Sequence, residues 1–167
     1  GNLDDKPMMD ALLVNCTVFG NALLFSGAES GYKIYNSIIA NNEGIAGSNT
    51  PIFADGCVFN SSVSSGCLDN PSSSLGNSKI RIDGSDYHFM APLMNDWRLL
   101  PSSQALGIGN PQHISNSIGG KLLNVEEKNI DVDYFKDFNG SPIPKTGTIN
   151  AGCIQEAAPE PASGAVY

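Results

Sequence analysis

Val14-Asn15-Cys16-Thr17-Val18-Phe19-Gly20-Asn21, then Tyr35-Asn36-Ser37-Ile38-Ile39-Ala40-Asn41-Asn42, then Asp55-Gly56-Cys57-Val58-Phe59-Asn60: one short apolar segment occurs three times, with Cys16, Ser37 and Cys57 in register at a period of about 20 residues. A single strand of this length cannot bury its apolar face alone. Repetition at this period predicts a stack in which each repeat adds one layer, strand pairing with strand in parallel about 4.8 Å apart. Like side chains then sit above like side chains. Val18, Ile39 and Phe59 are expected to form one interior column, and Cys16, Ser37 and Cys57 another. Asn15 and Asn36 are expected to form a polar ladder at a corner, broken by Gly56, because asparagine tolerates left-handed backbone angles and bonds locally to the chain. The competing architecture is an antiparallel β sandwich with turns at similar spacing. It leaves the shared Asn-Cys/Ser motif unexplained.

Working outward, strands are expected over 11–19 (ALLVNCTVF), 32–40 (YKIYNSIIA) and 52–59 (IFADGCVF), separated by Gly/Ser/Asn-rich turns. A weaker fourth fits Lys79-Ile80-Arg81-Ile82-Asp83, with Ile80 and Ile82 facing in and Lys79, Arg81 and Asp83 facing out. From residue 86 the pattern changes. Asp96 to Ser103 reads as a short strand running into a turn, Asn124 to Lys128 as a helical turn, and Asp137-Phe138-Asn139-Gly140-Ser141-Pro142 as a tight turn. The expected organisation is stacked coils over 1–85, an irregular region over 86–155 that caps the last open strand edge, and a Pro/Ala-rich tail over 156–167. The chain enters its first repeat without an obvious cap, so upstream coils or a second protomer are expected to cover that end.

The 167 residues suffice for one domain with a real core. With 9 Lys+Arg against 17 Asp+Glu, the net charge of -8 argues against nucleic acid or an anionic membrane surface as partner. It also disfavours acidic polysaccharides unless a local basic patch exists. Only 16% of residues are charged while glycine numbers 18, a composition that suits a turn-rich β protein. No run approaches the roughly 18 apolar residues of a membrane helix. Cys16, Cys57, Cys67 and Cys153 form no C-x-x-C pair and no metal spacing, and read as buried free thiols, with a Cys57–Cys67 bridge as the alternative.

The outward row Lys79, Arg81 and Asp83 is a candidate carbohydrate contact, weighed against an ordinary solvated strand face. A lyase base needs a lowered pKa and a cluster of acidic partners, for which one basic pair on one strand is too little. Trp97 offers an aromatic face to a sugar ring or, alternatively, a core side chain. Asp131, Asp133, Asp137 and Asn139 form the densest set of oxygen ligands and are candidates for calcium, although their spacing is not that of an EF-hand and the Asp137 segment is explained as a turn. His88 and His113 lie far apart with no adjoining nucleophile motif. Ser102 and Ser103 sit in no G-x-S-x-G elbow, and the GIGN run at 107–110 lacks the features of a phosphate loop.

The order of these pieces carries a resemblance. The repeated NCTV/NSII strands, then DWRLLPSSQALGIGN, then DFNGSPIP, then INAGCIQ, resemble the C-terminal end of bacterial (Bacteroides-type) right-handed parallel β-helix surface proteins of the pectate-lyase-like kind. Asp96, Trp97, Arg98 and Leu99 match the first closing motif. Ser103, Ala105 and Gly109 match its continuation, with Gln104 in place of the usual proline. Asp137, Gly140 and Pro142 match the second motif without its arginine, and Gly152 the third, with Cys153 for alanine and Gln155 for glutamate. The resemblance spans most of 11–155. It implies an all-β, right-handed single-stranded parallel β-helix of three to four coils with an irregular C-terminal capping region, secreted or on the outer cell surface. It implies little about activity, because this end of such a solenoid is usually a cap and not the active cleft; the expected role is a non-catalytic cap or scaffold, with polysaccharide as partner. The alternative is the C-terminal part of a polysaccharide lyase or glycoside hydrolase.

Overall fold

The computed structural model of the chain describes residues 11–20, 23–24, 31–40, 45–46, 51–60, 70–81, 89–91, 94–114, 123–125, 128–130 and 135–157. These residues are nearly all strand, turn and loop, with one helical turn at 112–114. The fold is all-β, and its repeats pair in parallel.

Each apolar run is two strands, not one. β1 (Ala11–Val14) and β2 (Thr17–Phe19) flank Asn15-Cys16; β4 (Tyr32–Tyr35) and β5 (Ile38–Ala40) flank Asn36-Ser37; β7 (Ile52–Asp55) and β8 (Val58–Asn60) flank Gly56-Cys57. The break has a backbone cause. Asn15, Asn36 and Gly56 have φ of 51°, 50° and 65°, left-handed values at which a strand must turn a corner. β3 (Leu23–Leu24) and β6 (Ile45–Ala46) supply a third strand position in the first two repeats, and β9 (Lys79–Arg81) follows in the fourth.

Three parallel sheets result, in the orders β1-β4-β7, β2-β5-β8-β9 and β3-β6. The register is the one the repeats predict. Val18 pairs with Ile39, Ile39 with Phe59, and Phe59 with Ile80. Ile34, Ile39, Ile52, Ala54, Cys57 and Phe59 close one buried core, flanked by Leu13, Val18, Tyr32 and Leu75. Burying an aliphatic or aromatic side chain of this size stabilises the fold by about 1.5–3 kcal/mol each. The fourth repeat is weaker, as expected: its first strand shrinks to a single Phe53–Ser74 bridge. Ile80 holds the inward register but is 44% exposed, because β9 ends its sheet.

The Cys/Ser column is a hydrogen-bonding device. The Cys16 N–H donates to Ser37 Oγ (3.1 Å) and the Cys57 N–H to Ser78 Oγ (3.1 Å), so serines of one repeat satisfy corner amides of the neighbouring one. Ser37 Oγ donates in turn to the Tyr35 carbonyl (2.7 Å), and the Cys57 thiol reaches the Ile34 carbonyl (3.1 Å). Cys16, Cys57 and Cys153 are free thiols, and Cys67, the other half of the alternative bridge, lies outside the described residues. Burial pushes the Cys57 thiol up to about 11, where it stays protonated and inert.

The polar ladder does not form. Asn36 turns its amide sideways, donating from Nδ2 to the Asn110 carbonyl (2.8 Å) and accepting the Asn110 N–H at Oδ1 (2.8 Å). Asn15, its counterpart one repeat away, has both amide atoms buried with no partner among the described residues. A side chain at the Gly56 corner would meet Asn36 Oδ1 and the Gly109 Cα, each 2.9 Å from its Cβ. Glycine there admits the neighbouring chain to the corner.

That neighbouring chain is the C-terminal region. β10 (Phe89–Ala91) and β11 (Asp96–Leu99) pair antiparallel, and residues 99–114 and 135–157 run beside them. Gly109 and Ile149 exchange two backbone bonds, the Ala151 N–H donates to the Ala105 carbonyl, and the Gly152 N–H donates to the Asn36 carbonyl (2.8 Å). This region covers the outward face of β5 and β8: Ile38, Ala40 and Val58 share a second core with Phe89, Leu99, Ala105 and Ala151. A third core joins Ile114, Ile143 and Ile149, with Val14 and Phe135 packed against it. The contacts are side-on to the stack. Over Asn124 to Lys128 the expected helical turn is replaced by an antiparallel pair, β12 (Leu123–Val125) with β13 (Lys128–Ile130), in which Val125 partners Lys128.

Candidate functional site

Where β2 meets the C-terminal region, the seam leaves an open depression of about 240 Å³ lined by Thr17, Phe19, Trp97, Phe138 and Cys153. Two of the lining rings, Phe19 and Trp97, pack with the buried Phe89 behind them. Phe19 meets Trp97 edge-on (5.4 Å, 73°), Trp97 meets Phe89 (5.3 Å, 78°), and Phe19 meets Phe89 (5.7 Å, 83°). Phe89 is buried, whereas Phe19 and Trp97 are half-buried and keep surface toward the depression. Edge-to-face contacts of this kind hold each ring at a fixed angle. Trp97 packs against the second core and also lines the depression.

Phe138 stands at the rim, 78% exposed at the tip of the Asp137–Gly140 turn. The turn is rigid because one carboxylate organises it. Asp137 Oδ1 accepts the N–H groups of Asn139 (2.9 Å) and Ser141 (2.8 Å), and Oδ2 accepts the Gln155 N–H (3.0 Å). N–H donors surround Asp137 where a cation would have to approach, so the calcium reading finds no support at this residue. Asp131 and Asp133 lie outside the described residues, and Asn139 is exposed. Among the described residues, no group of three His, Cys, Asp or Glu side chains is placed to hold a metal ion.

On the other side of the seam the Cys153 N–H donates to Thr17 Oγ1 (3.1 Å). Gly152 allows this approach: it has φ of 95°, and a Cβ there would meet Ile38 Cδ1 and Thr17 Oγ1 at 2.9 Å. The lining thus draws on β2, β11, the Asp137 turn and the closing 149–153 segment. Asp96 and Arg98 alternate with Trp97 along β11 and pair with each other in a two-pronged ion pair (2.9 and 2.7 Å).

A second polar constellation fastens the seam. His113 Nε2 lies 2.6 Å from Asp55 Oδ2, and the imidazole stacks on Tyr35 (4.3 Å between centroids, 7°). Asp55 Oδ1 also accepts the Asn77 N–H (2.6 Å), joining the third repeat to the fourth. Partial burial of Asp55 pushes its pKa up, but the hydrogen bonds from Asn77 and His113 and the charge of His113 outweigh that and hold the carboxyl below its ordinary value. The sequence left His113 without a partner. The fold supplies one 58 residues away.

The expected basic row is not gathered into a site by the described residues. Lys79 is exposed on β9, Arg81 ends that strand, and Asp83 lies outside the described residues, as do His88 and Cys67. Phe19, Thr17, Phe138 and Cys153 were not anticipated at a site. The one available signal was Phe138, a large aromatic residue placed inside an Asp-Phe-Asn-Gly turn, where side chains point to solvent. None of the described helical segments is long and apolar enough to cross a membrane. No protein-family model, curated protein or solved structure matches the chain.

Proposed function

We propose that this chain is part of a right-handed single-stranded parallel β-helix protein of the pectate-lyase-like kind, secreted or displayed on the outer cell surface. In this reading it serves as a carbohydrate-binding scaffold rather than a catalyst. Support for the β-helix comes from the sheets, which stack one strand per repeat in parallel and in register. Parallel connections within one sheet are overwhelmingly right-handed. The C-terminal region braces the flank of the stack.

The observation that carries the binding reading is the aromatic depression, where Phe19, Trp97 and Phe138 present ring surface to solvent. Aromatic faces pack on the C–H surfaces of sugars, and a rigid concave seam with a few polar atoms is where ligands bind. A glycan array probed with the chain, run beside an absorbance assay for unsaturated sugar products, tests this. Binding without product formation is expected. Turnover by the chain would overturn the scaffold reading in favour of a polysaccharide lyase or glycoside hydrolase.

A further inference from the structure

Resting on the carbohydrate reading, we infer that the seam depression takes one uncharged pyranose ring, held by Phe138 and Trp97, and that the outward row on β9 is not the glycan contact. Three features select this ligand. The first is size. At about 240 Å³ the depression is smaller than the roughly 300–1,000 Å³ of sites for drug-sized ligands, so it suits one ring and not a length of polymer.

The second is charge. Thr17, Phe19, Trp97, Phe138 and Cys153 bring no basic side chain to the lining. Nearby, Arg98 is paired with Asp96, and the chain as a whole carries a net charge of -8. Among the described residues, a uronate brought here would meet no basic side chain of the lining, and the net charge of the chain would repel it. The third is the balance of polar and apolar surface. Aromatic rings meet the C–H face of a sugar whose hydroxyls are equatorial, while Thr17 Oγ1 accepts the Cys153 N–H and keeps its own proton to donate to a ring-edge oxygen.

Trp97 is the single tryptophan of the chain, so its emission reports the depression directly. The test titrates the full chain with methyl β-D-glucopyranoside and, separately, with the corresponding methyl glucuronide, in low and high salt. The glucoside is expected to change Trp97 emission saturably and independently of salt, with the glucuronide at least about tenfold weaker. Phe138→Ala is expected to weaken the glucoside by a similar factor, about tenfold or more, with circular dichroism and denaturation midpoint unchanged because the ring is exposed. Lys79→Ala should leave binding as it is. Equal or tighter glucuronide binding, or a Phe138→Ala variant that binds normally, overturns the inference. Array binding that survives Phe138→Ala removes this site while leaving the scaffold reading standing. A blank array together with a blank titration removes both.

Discussion

Ile38 and Ile39 are neighbours on β5 and are equally buried, 0% and 1% exposed, yet different parts of the chain bury them. Ile39 points into the stack and is covered by repeats on either side, residues about one period away. Ile38 points outward and is covered by Ala105, Ala151 and Gly152, far along the chain. The inward face repeats because each layer repeats. The outward face is a docking surface for a single irregular segment, and it ends where that segment ends: the outward position of β8 is the buried Val58, and the same position on β9 is the exposed Lys79.

Truncating each isoleucine in turn is the most forceful way to break this comparison. Ile39→Ala and Ile38→Ala should each cost about 3 kcal/mol in urea denaturation, since both remove a fully enclosed side chain. A cost for Ile38→Ala below about 1 kcal/mol would mean that the outer cover is not docked in solution.

The two corner asparagines sharpen the same contrast at a smaller scale. Glycine keeps the left-handed backbone at either position, so Asn→Gly removes only the amide. Asn36→Gly should cost about 1–2 kcal/mol, because it breaks two bonds to the Asn110 backbone. Asn15→Gly should fall within about 0.5 kcal/mol of zero, because that amide is buried without a partner among the described residues. Equal costs, measured by thermal unfolding, would show that the cover grips both repeats alike.

The gentlest probe is acid. Because the Asp55 carboxyl lies below its ordinary value in the folded chain, the unfolded chain binds more protons between the two values, and stability rises with pH across that window. The contribution is complete above the unfolded value, about pH 4, and is lost as pH falls through the lower folded one. His113→Ala should cost about 1 kcal/mol at neutral pH and flatten the acid limb of a stability-versus-pH curve, as should Asp55→Asn. An unchanged acid limb in both variants would show that Asp55 and His113 do not fasten the seam.

Much of the stack was legible because its contacts are local in the repeat. The period gave the pairing of Val18, Ile39 and Phe59, and the corner chemistry of Asn15, Asn36 and Gly56 follows from which residues accept positive φ. In the adjacent pairs Ile38-Ile39 and Val58-Phe59, one residue of each pair is buried on either face of the sheet. What covered the second face was not readable, because nothing near those residues in the chain names Ala105 or Ala151. The Asn36 amide was misread for the same reason: its local options were a ladder or solvent, and its partner lies 74 residues away.

The candidate site divides in the same manner. Trp97 drew attention through its residue type, and Lys79, Arg81 and Asp83 through their alternation; Trp97 lies at the depression, whereas Lys79 is not among its lining residues and Asp83 lies outside the described residues. Phe19, Phe138, Thr17 and Cys153 meet there because a closing segment, with Gly152 at its tightest approach, returns to lie against β2. By itself the sequence determined the layers, their register and their corners, since a period of about 20 residues forces like side chains into columns. The tertiary structure decided the flank, the His113–Asp55 fastening and the aromatic depression. Each of these depends on where an irregular chain packs, and such packing leaves no periodic trace in the residues that receive it.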